Sequence, residues 1–221
     1  MTAQGQALLT MLILHPEKPF SFREIYDVIS QDKESDNPAS AVNNAVYRLR
    51  CNLEIIGLKE LVLYTRGTYF LNPRFKIESD AERFLSFYNA IQNTDNPDKK
   101  LEQCHNAINL YKSHLPEALS SDIRWVLERS NFNIKFLNAA AECVNIHISR
   151  GEYSAAYDVA HNALAIEPNE PALMILMAKA MKKAGRPGVN AYVSSIMPYI
   201  EPFDRAQLKK ILEENELDSK L

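Results

Sequence analysis

Asn43, Asn44, Tyr47 and Arg48 fall within one short stretch of the chain, at the spacing of a single helix face. An asparagine carboxamide pairs bidentately with adenine, and an arginine with guanine or a phosphate. A tyrosine hydroxyl both donates and accepts. None of these is the Glu or Lys that usually solubilises a helix. A helix carrying such side chains has the right width for the major groove of duplex DNA. Base contacts come mostly from the N-terminal half of such a helix, which singles out these four as base-edge candidates. Arg50 lies nearer the apolar side, where it either reaches a phosphate or covers the core with its stem. The competing reading is a solvated helix face on a protein-binding module.

The helix that must carry them is well marked. Asn37 can cap it, and Pro38 suits a first helical position that needs no backbone donor. Val42, Ala45, Val46, Leu49 and Leu53 form one apolar stripe, which predicts a helix from Pro38 to about Ile56, stopped by Gly57. Two helices precede it. The first is the buried apolar run Ala7–Leu14, ended by Pro16 and Pro19. The second starts at the capping box Ser21-Phe-Arg-Glu24 and buries Ile25, Val28 and Ile29. Gln31 to Asp36 reads as a loop. Leu61–Thr65 and Thr68–Leu71 are β-prone runs joined by Arg66-Gly67, a hairpin signal, and Asn72-Pro73 closes the unit. Three helices and a hairpin make a winged helix-turn-helix with a β-hairpin wing over residues 1–76; a β-prone hairpin is hard to place in a plain helical bundle. In a winged helix the wing leans on the adjacent backbone or minor groove. For Arg66 and Thr68 at the wing tip, such a contact competes with an ordinary polar turn. For Arg74 and Lys76 a phosphate contact competes with the reading as solvated linker residues, which their position favours.

From residue 77 to 221 the pattern is all α. Helices are expected at about 79–93, 97–113, 120–149, 152–166, 170–184, 188–200 and 204–215, with starts at Ser79-Asp-Ala-Glu82, Asn96-Pro97, Asn169-Glu-Pro171 and Asp204-Arg-Ala-Gln207. Gly151 and Gly185 are 34 positions apart, as are Pro168 and Pro202. That is the period of a tetratricopeptide repeat. Ala156, Ala160 and Ala163 supply the small residues that let paired helices approach. The second copy is degenerate, with Asn190, Ser194 and Met197 at the corresponding positions. Trp125 reads as an anchor of repeat packing, and Tyr64, Tyr69 and Phe70 as core.

The totals fit one or two globular domains: 221 residues, 46% hydrophobic, 24% charged, net charge −3. Up to residue 76 there are nine basic and eight acidic residues, so any nucleic-acid contact must come from a local patch. Three widely spaced cysteines argue against a disulfide framework or zinc site and for reduced thiols in a cytoplasmic protein. His105, His114, His147 and His161 show no ligand spacing and read as structural. The opening apolar run is too short to span a bilayer and lacks a basic leader, so neither a membrane partner nor secretion is expected. No phosphate loop, dinucleotide fingerprint, nucleophile elbow or His-Glu-x-x-His motif occurs. The expectation is a non-enzyme without metal or cofactor. Glu213, Glu214 and Glu216 read as solubilising.

The order of these parts resembles a known bacterial architecture. Leu8–Pro19, Phe22–Ile29, Asn37–Ala41, Tyr47-Arg-Leu-Arg50 and Gly67-Thr-Tyr-Phe70 resemble the OmpR-type winged helix. Leu110–Pro116, Trp125–Arg129, Gly151–Ala156 and Ala178–Arg186 resemble the bacterial transcriptional activator domain of Streptomyces antibiotic regulatory proteins and their clostridial relatives. The family's winged helix normally follows a small N-terminal β-sheet, which does not precede the first helix in this sequence. What the resemblance implies is a bacterial transcription regulator. Its winged helix would bind double-stranded DNA at direct-repeat promoter elements, and its repeats would touch RNA polymerase, another protein, or a second copy in a homodimer. The rival expectation is a protein-interaction scaffold whose winged helix and repeats bind proteins, not DNA.

Overall fold

The computed structural model describes residues 1–30, 37–112 and 123–213. The expected loop at 31–36, His114, the helix end at 113, the helix start at 120, and Glu214 and Glu216 lie outside the described residues. Two compact units divide the chain. The sequence places one division after residue 76. The first compact unit runs on to Arg83 and takes in a later stretch up to Asn133, whose Trp125 packs into its core.

The first unit is a winged helix. Its elements are α1 (Ala3–Leu14), β1 (Phe20–Ser21), α2 (Phe22–Ser30), α3 (Pro38–Glu54), a 3-10 turn (Lys59–Leu61), β2 (Val62–Thr65) and β3 (Thr68–Leu71). Each helix start is built locally. The Thr2 hydroxyl accepts from the Gly5 N–H (3.2 Å). The Ser21 N–H donates to Glu24 Oε2 (2.8 Å) while the Glu24 N–H donates to Ser21 Oγ (3.3 Å), a reciprocal capping box. Lys18 adds an ion pair to Glu24 at 3.0 Å. Burial of Glu24 opposes its charge, but the Ser21 N–H, Lys18 and the Ser21 hydroxyl together hold its carboxyl below the ordinary value.

The wing belongs to a three-stranded antiparallel sheet of order β1-β3-β2. The two-residue strand β1 pairs Phe20 with Tyr69 and Ser21 with Thr68. The sequence left this strand unseen, because so short a run is held only by its distant partner. Leu8, Met11 and Leu12 of α1, Ile25 of α2, Val42 and Leu49 of α3, and Val62 of β2 fill the core. Trp125 joins them, its ring 6.0 Å from that of His15. Trp125 therefore belongs to the core of the winged helix and does not anchor the repeats.

The second unit is a helical repeat array built from α4 (Asp80–Gln92, the unit beginning at Phe84), α5 (Pro97–Leu110), the length of α6 (Ile123–Ser149) from Ile134, α7 (Tyr153–Ile166), α8 (Pro171–Lys183), α9 (Val189–Ile196) and α10 (Pro202–Glu213). The helix starts expected at Ser79 and Asn96 are capped: the Ser79 hydroxyl accepts from the Glu82 N–H, and Asn96 Oδ1 from Asp98 and Lys99 N–H. Tyr111 stacks on Phe136 with ring centroids 4.2 Å apart, and Phe84 packs against Tyr111 at a tilt, 5.8 Å away.

The 34-residue period is visible in backbone geometry. Gly151 (φ 75°) and Gly185 (φ 63°) both take the left-handed conformation after a helix. The Glu152 N–H donates to the His147 carbonyl (2.9 Å), and the Arg186 N–H to that of Met181 (2.9 Å), the same closure 34 residues on. Ala156, Ala160 and Ala163 are fully buried, as expected. Two details differ. In the second copy Asn190 and Ser194 are exposed, and Val193, Ile196 and Ile200 are buried instead. The buried face has rotated because polar side chains occupy the small-residue positions. Pro168 lies in the turn before α8, whereas Pro202 opens α10, two residues ahead of the start expected at Asp204.

Candidate nucleic-acid interface

α3 buries Val42, Ala45, Val46, Leu49 and Leu53 and turns the rest outward. Asn37 Oδ1 accepts from the Ser40 N–H at 3.0 Å, and Pro38 takes the first turn. On the outer face Asn43, Asn44, Tyr47, Arg48 and Cys51 are exposed. Tyr47 keeps 68% of its surface open to solvent, a large aromatic with no packing partner in the core. Its phenol sits above the usual range, chiefly through a hydrogen bond with Cys51 one turn on. It is thus a neutral donor and acceptor at physiological pH. Asn44 Nδ2 donates to Ser40 Oγ at 3.3 Å, which lays its carboxamide along the helix surface.

The remaining candidates separate by what they touch. The Tyr69 hydroxyl donates to Asn43 Oδ1 at 3.2 Å, so Asn43 ties α3 to β3. Burial first, and then Tyr64, raise the Tyr69 phenol, with Arg50 opposing, so it stays a neutral donor. Arg50 points inward: Nε and Nη2 both donate to the Val62 carbonyl, at 3.1 and 2.9 Å. Val62 faces Leu71 across the ladder, one residue on from the bonded Leu61–Asn72 pair. Its carbonyl therefore points off the outer edge of the sheet. Arg50 covers that edge and fixes the angle between α3 and the wing. In this arrangement the guanidinium is engaged by the Val62 carbonyl.

The wing turn is a two-residue connection with both central residues at positive φ, Arg66 at 48° and Gly67 at 83°. This is the type I′ hairpin, in which Asn or Gly is the unstrained choice at the first position. Arg66 costs about 1 kcal/mol there relative to such residues. It is exposed at the tip. Thr68 is half-buried, and its hydroxyl donates to the Thr65 carbonyl at 3.0 Å, which uses it within the turn. Tyr64, expected in the core, is 56% exposed on the edge strand, its ring 4.6 Å from that of Tyr69. Tyr69 is buried, and Phe70 half-buried. Lys76 is paired with Glu78 at 2.8 Å, and Arg74 is exposed. Just past the C-terminal end of α3 lies an apolar feature: Ile55 and Ile56 are 82% and 67% exposed.

A second constellation lies within the repeat unit. His105 of α5 and Cys143 and His147 of α6 bring one ligand atom each within 4.8 Å of one another. The His105 and His147 Nε2 atoms are 3.2 Å apart, and Cys143 Sγ lies 3.8 Å from His105 Nε2. His147 Nδ1 is 2.6 Å from Glu152 Oε2. Burial, followed by the neighbouring His147, lowers the His105 pKa, while burial and then Cys104 push the Cys143 thiol up to about 12. Along the sequence these histidines show no ligand spacing among themselves. The signal present was Cys143-x-x-x-His147, one helical turn apart; His105 comes from a different helix and is joined to them only by the fold.

No family model matches the chain, and no curated protein matches it. A solved structure does: Mycobacterium tuberculosis EmbR in complex with a low-affinity phosphopeptide, with a TM-score of 0.73 at 14% identity. The match covers 97% of this chain and 60% of the EmbR chain, so this chain spans less than two thirds of that length. At that identity the likeness is one of fold. No described helix is long and apolar enough to cross a membrane.

Proposed function

We propose that the protein is a DNA-binding transcription regulator that lays the outer face of α3 in the major groove and rests its wing on the adjacent backbone. The observation that carries this reading is the outer face itself. Asn44, Tyr47 and Arg48 stand unburied on a helix whose other side is fully committed to the core. Asn43 and Arg50 set the angle between that helix and the wing through Tyr69 and Val62. Arg66 adds a cation at a strained tip position where Asn or Gly would be less strained, as expected when function, not folding, selects the side chain. The resemblance to antibiotic regulatory proteins and the fold shared with EmbR support the same reading. In it, phosphate contacts supply most of the affinity and the α3 face supplies base choice. The repeats would engage a protein such as RNA polymerase or a second copy of the chain.

Selection of genomic DNA fragments by the full chain tests the proposal. Arg48→Ala should cost about 1–3 kcal/mol on a selected site and little on unrelated DNA. Equal binding of parent and variant across all fragments would reject the assignment. A second reading, a protein-interaction scaffold, is favoured by exposed Ile55 and Ile56, which give the end of α3 an apolar character. Under that reading no fragment is enriched, and binding to DNA shows no sequence preference.

A further inference from the structure

We propose that His105, Cys143 and His147 form a binding site for a divalent cation of zinc-like ligand preference, with Glu152 as the carboxylate that orients His147. The distances suit such an ion. Two nitrogens bound tetrahedrally at about 2.0–2.1 Å stand roughly 3.3–3.4 Å apart, and a nitrogen and a thiolate at about 2.3 Å stand roughly 3.6 Å apart. The corresponding separations are 3.2 Å between the two Nε2 atoms and 3.8 Å between Cys143 Sγ and His105 Nε2. The remaining edge is no longer than 4.8 Å and must shorten toward roughly 3.6 Å for an ion to be held by all three donors.

The surroundings support the donor set. Cys143 and His147 project from one face of α6, one turn apart, which makes their spacing a property of the helix. The left-handed turn at Gly151 brings Glu152 back onto the end of α6. There the Glu152 carboxylate accepts from His147 Nδ1–H at 2.6 Å. With the proton held on Nδ1, the Nε2 lone pair of His147 faces His105. A carboxylate behind a histidine is the usual outer support of a metal-bound imidazole. His147 is only 6% exposed, whereas His105 is half-buried and offers the route in. Two imidazoles and a thiolate favour zinc over magnesium or calcium, and three protein donors leave a fourth position open. Binding releases the Cys143 thiol proton to solvent. The metal-free alternative is a hydrogen-bonded chain in which His105 Nε2–H donates to His147 Nε2.

Titration of the chelator-treated full chain with Co²⁺, followed by displacement with Zn²⁺, separates the two. One equivalent of Co²⁺ should bind and develop a thiolate-to-cobalt charge-transfer band together with tetrahedral ligand-field bands. The charge-transfer band should persist in Cys51→Ser, whose thiol is exposed on α3, and vanish in Cys143→Ser. The Glu152 side chain is 47% exposed and Gln is nearly isosteric with it, so Glu152→Gln should fold normally. It should keep the band and weaken binding about 10–100-fold. No saturable binding, a band that survives Cys143→Ser, or unchanged affinity in Glu152→Gln would overturn the proposal. If Cys143→Ser fails to fold, the Glu152→Gln affinity decides alone.

Discussion

Replacing Arg50 with Met separates a structural arginine from a phosphate-binding one. The methionine keeps most of the apolar stem and removes both donors to the Val62 carbonyl. Val62 is 1% exposed, so its carbonyl has little water to turn to. A hydrogen bond to a charged group contributes about 1.5–3 kcal/mol, and a buried acceptor left unsatisfied costs about 1–3 kcal/mol. The two bonds share one acceptor, so they do not add, and the expected loss is about 2 kcal/mol. For a unit of this size that lowers the melting temperature by roughly 8–16 °C. The chain has a single tryptophan, and it sits in the core of this unit, so tryptophan fluorescence follows the unit selectively. In DNA binding, Arg50→Met should weaken affinity evenly across sequences and leave the salt dependence unchanged, because no phosphate contact is lost. An unchanged melting transition combined with a salt slope smaller by about one would refute the clamp and make Arg50 a phosphate ligand.

Three further outcomes follow from the same geometry. Arg66→Asn relieves the left-handed strain at the wing tip and should stabilise the first unit by up to about 1 kcal/mol in fluorescence-monitored unfolding; on a selected DNA site it should lower the salt slope by about one. Glu24 is held below its ordinary value, so its contribution is complete above the unfolded carboxyl pKa of about 4.3 and is lost as pH falls through the lower folded value. Stability of Glu24→Gln should therefore fall less steeply on acidification, and parallel acid limbs in the two proteins would contradict this. A Cβ at Gly151 or Gly185 meets nothing within 4 Å, yet both residues hold positive φ. Alanine at either should cost about 1 kcal/mol by urea unfolding followed by circular dichroism, from backbone strain alone.

What the sequence disclosed was chiefly local. The caps at Ser21, Asn37, Ser79 and Asn96 read correctly because a cap is a contact between residues two or three apart. The apolar stripe of α3 and the Arg66-Gly67 turn were legible for the same reason, and so was the 34-residue return of the glycine turns. What stayed hidden was non-local. β1 exists only through Tyr69 and Thr68, and Trp125 packs on residues more than a hundred positions earlier. Tyr64 has the composition of a core residue but lies on the solvent side of an edge strand. Among the candidate residues, type and spacing identified the outer face of α3. They gave no sign of the Val62 carbonyl as the partner of Arg50, because that contact joins a helix to a strand twelve residues on. The His105–Cys143–His147 cluster needed two helices to meet, and half of it was still written as an i, i+4 pair.

The most direct test of groove insertion by α3 is the alkylation rate of Cys51, measured with and without a selected DNA fragment. Cys51 is exposed one turn beyond Tyr47, while Cys104 and Cys143 are buried, so the readout is confined to the proposed reading face. Saturating DNA should slow modification of Cys51 strongly, and an unrelated fragment at high salt should not. An alkylation rate that saturating cognate DNA leaves unchanged would contradict the account.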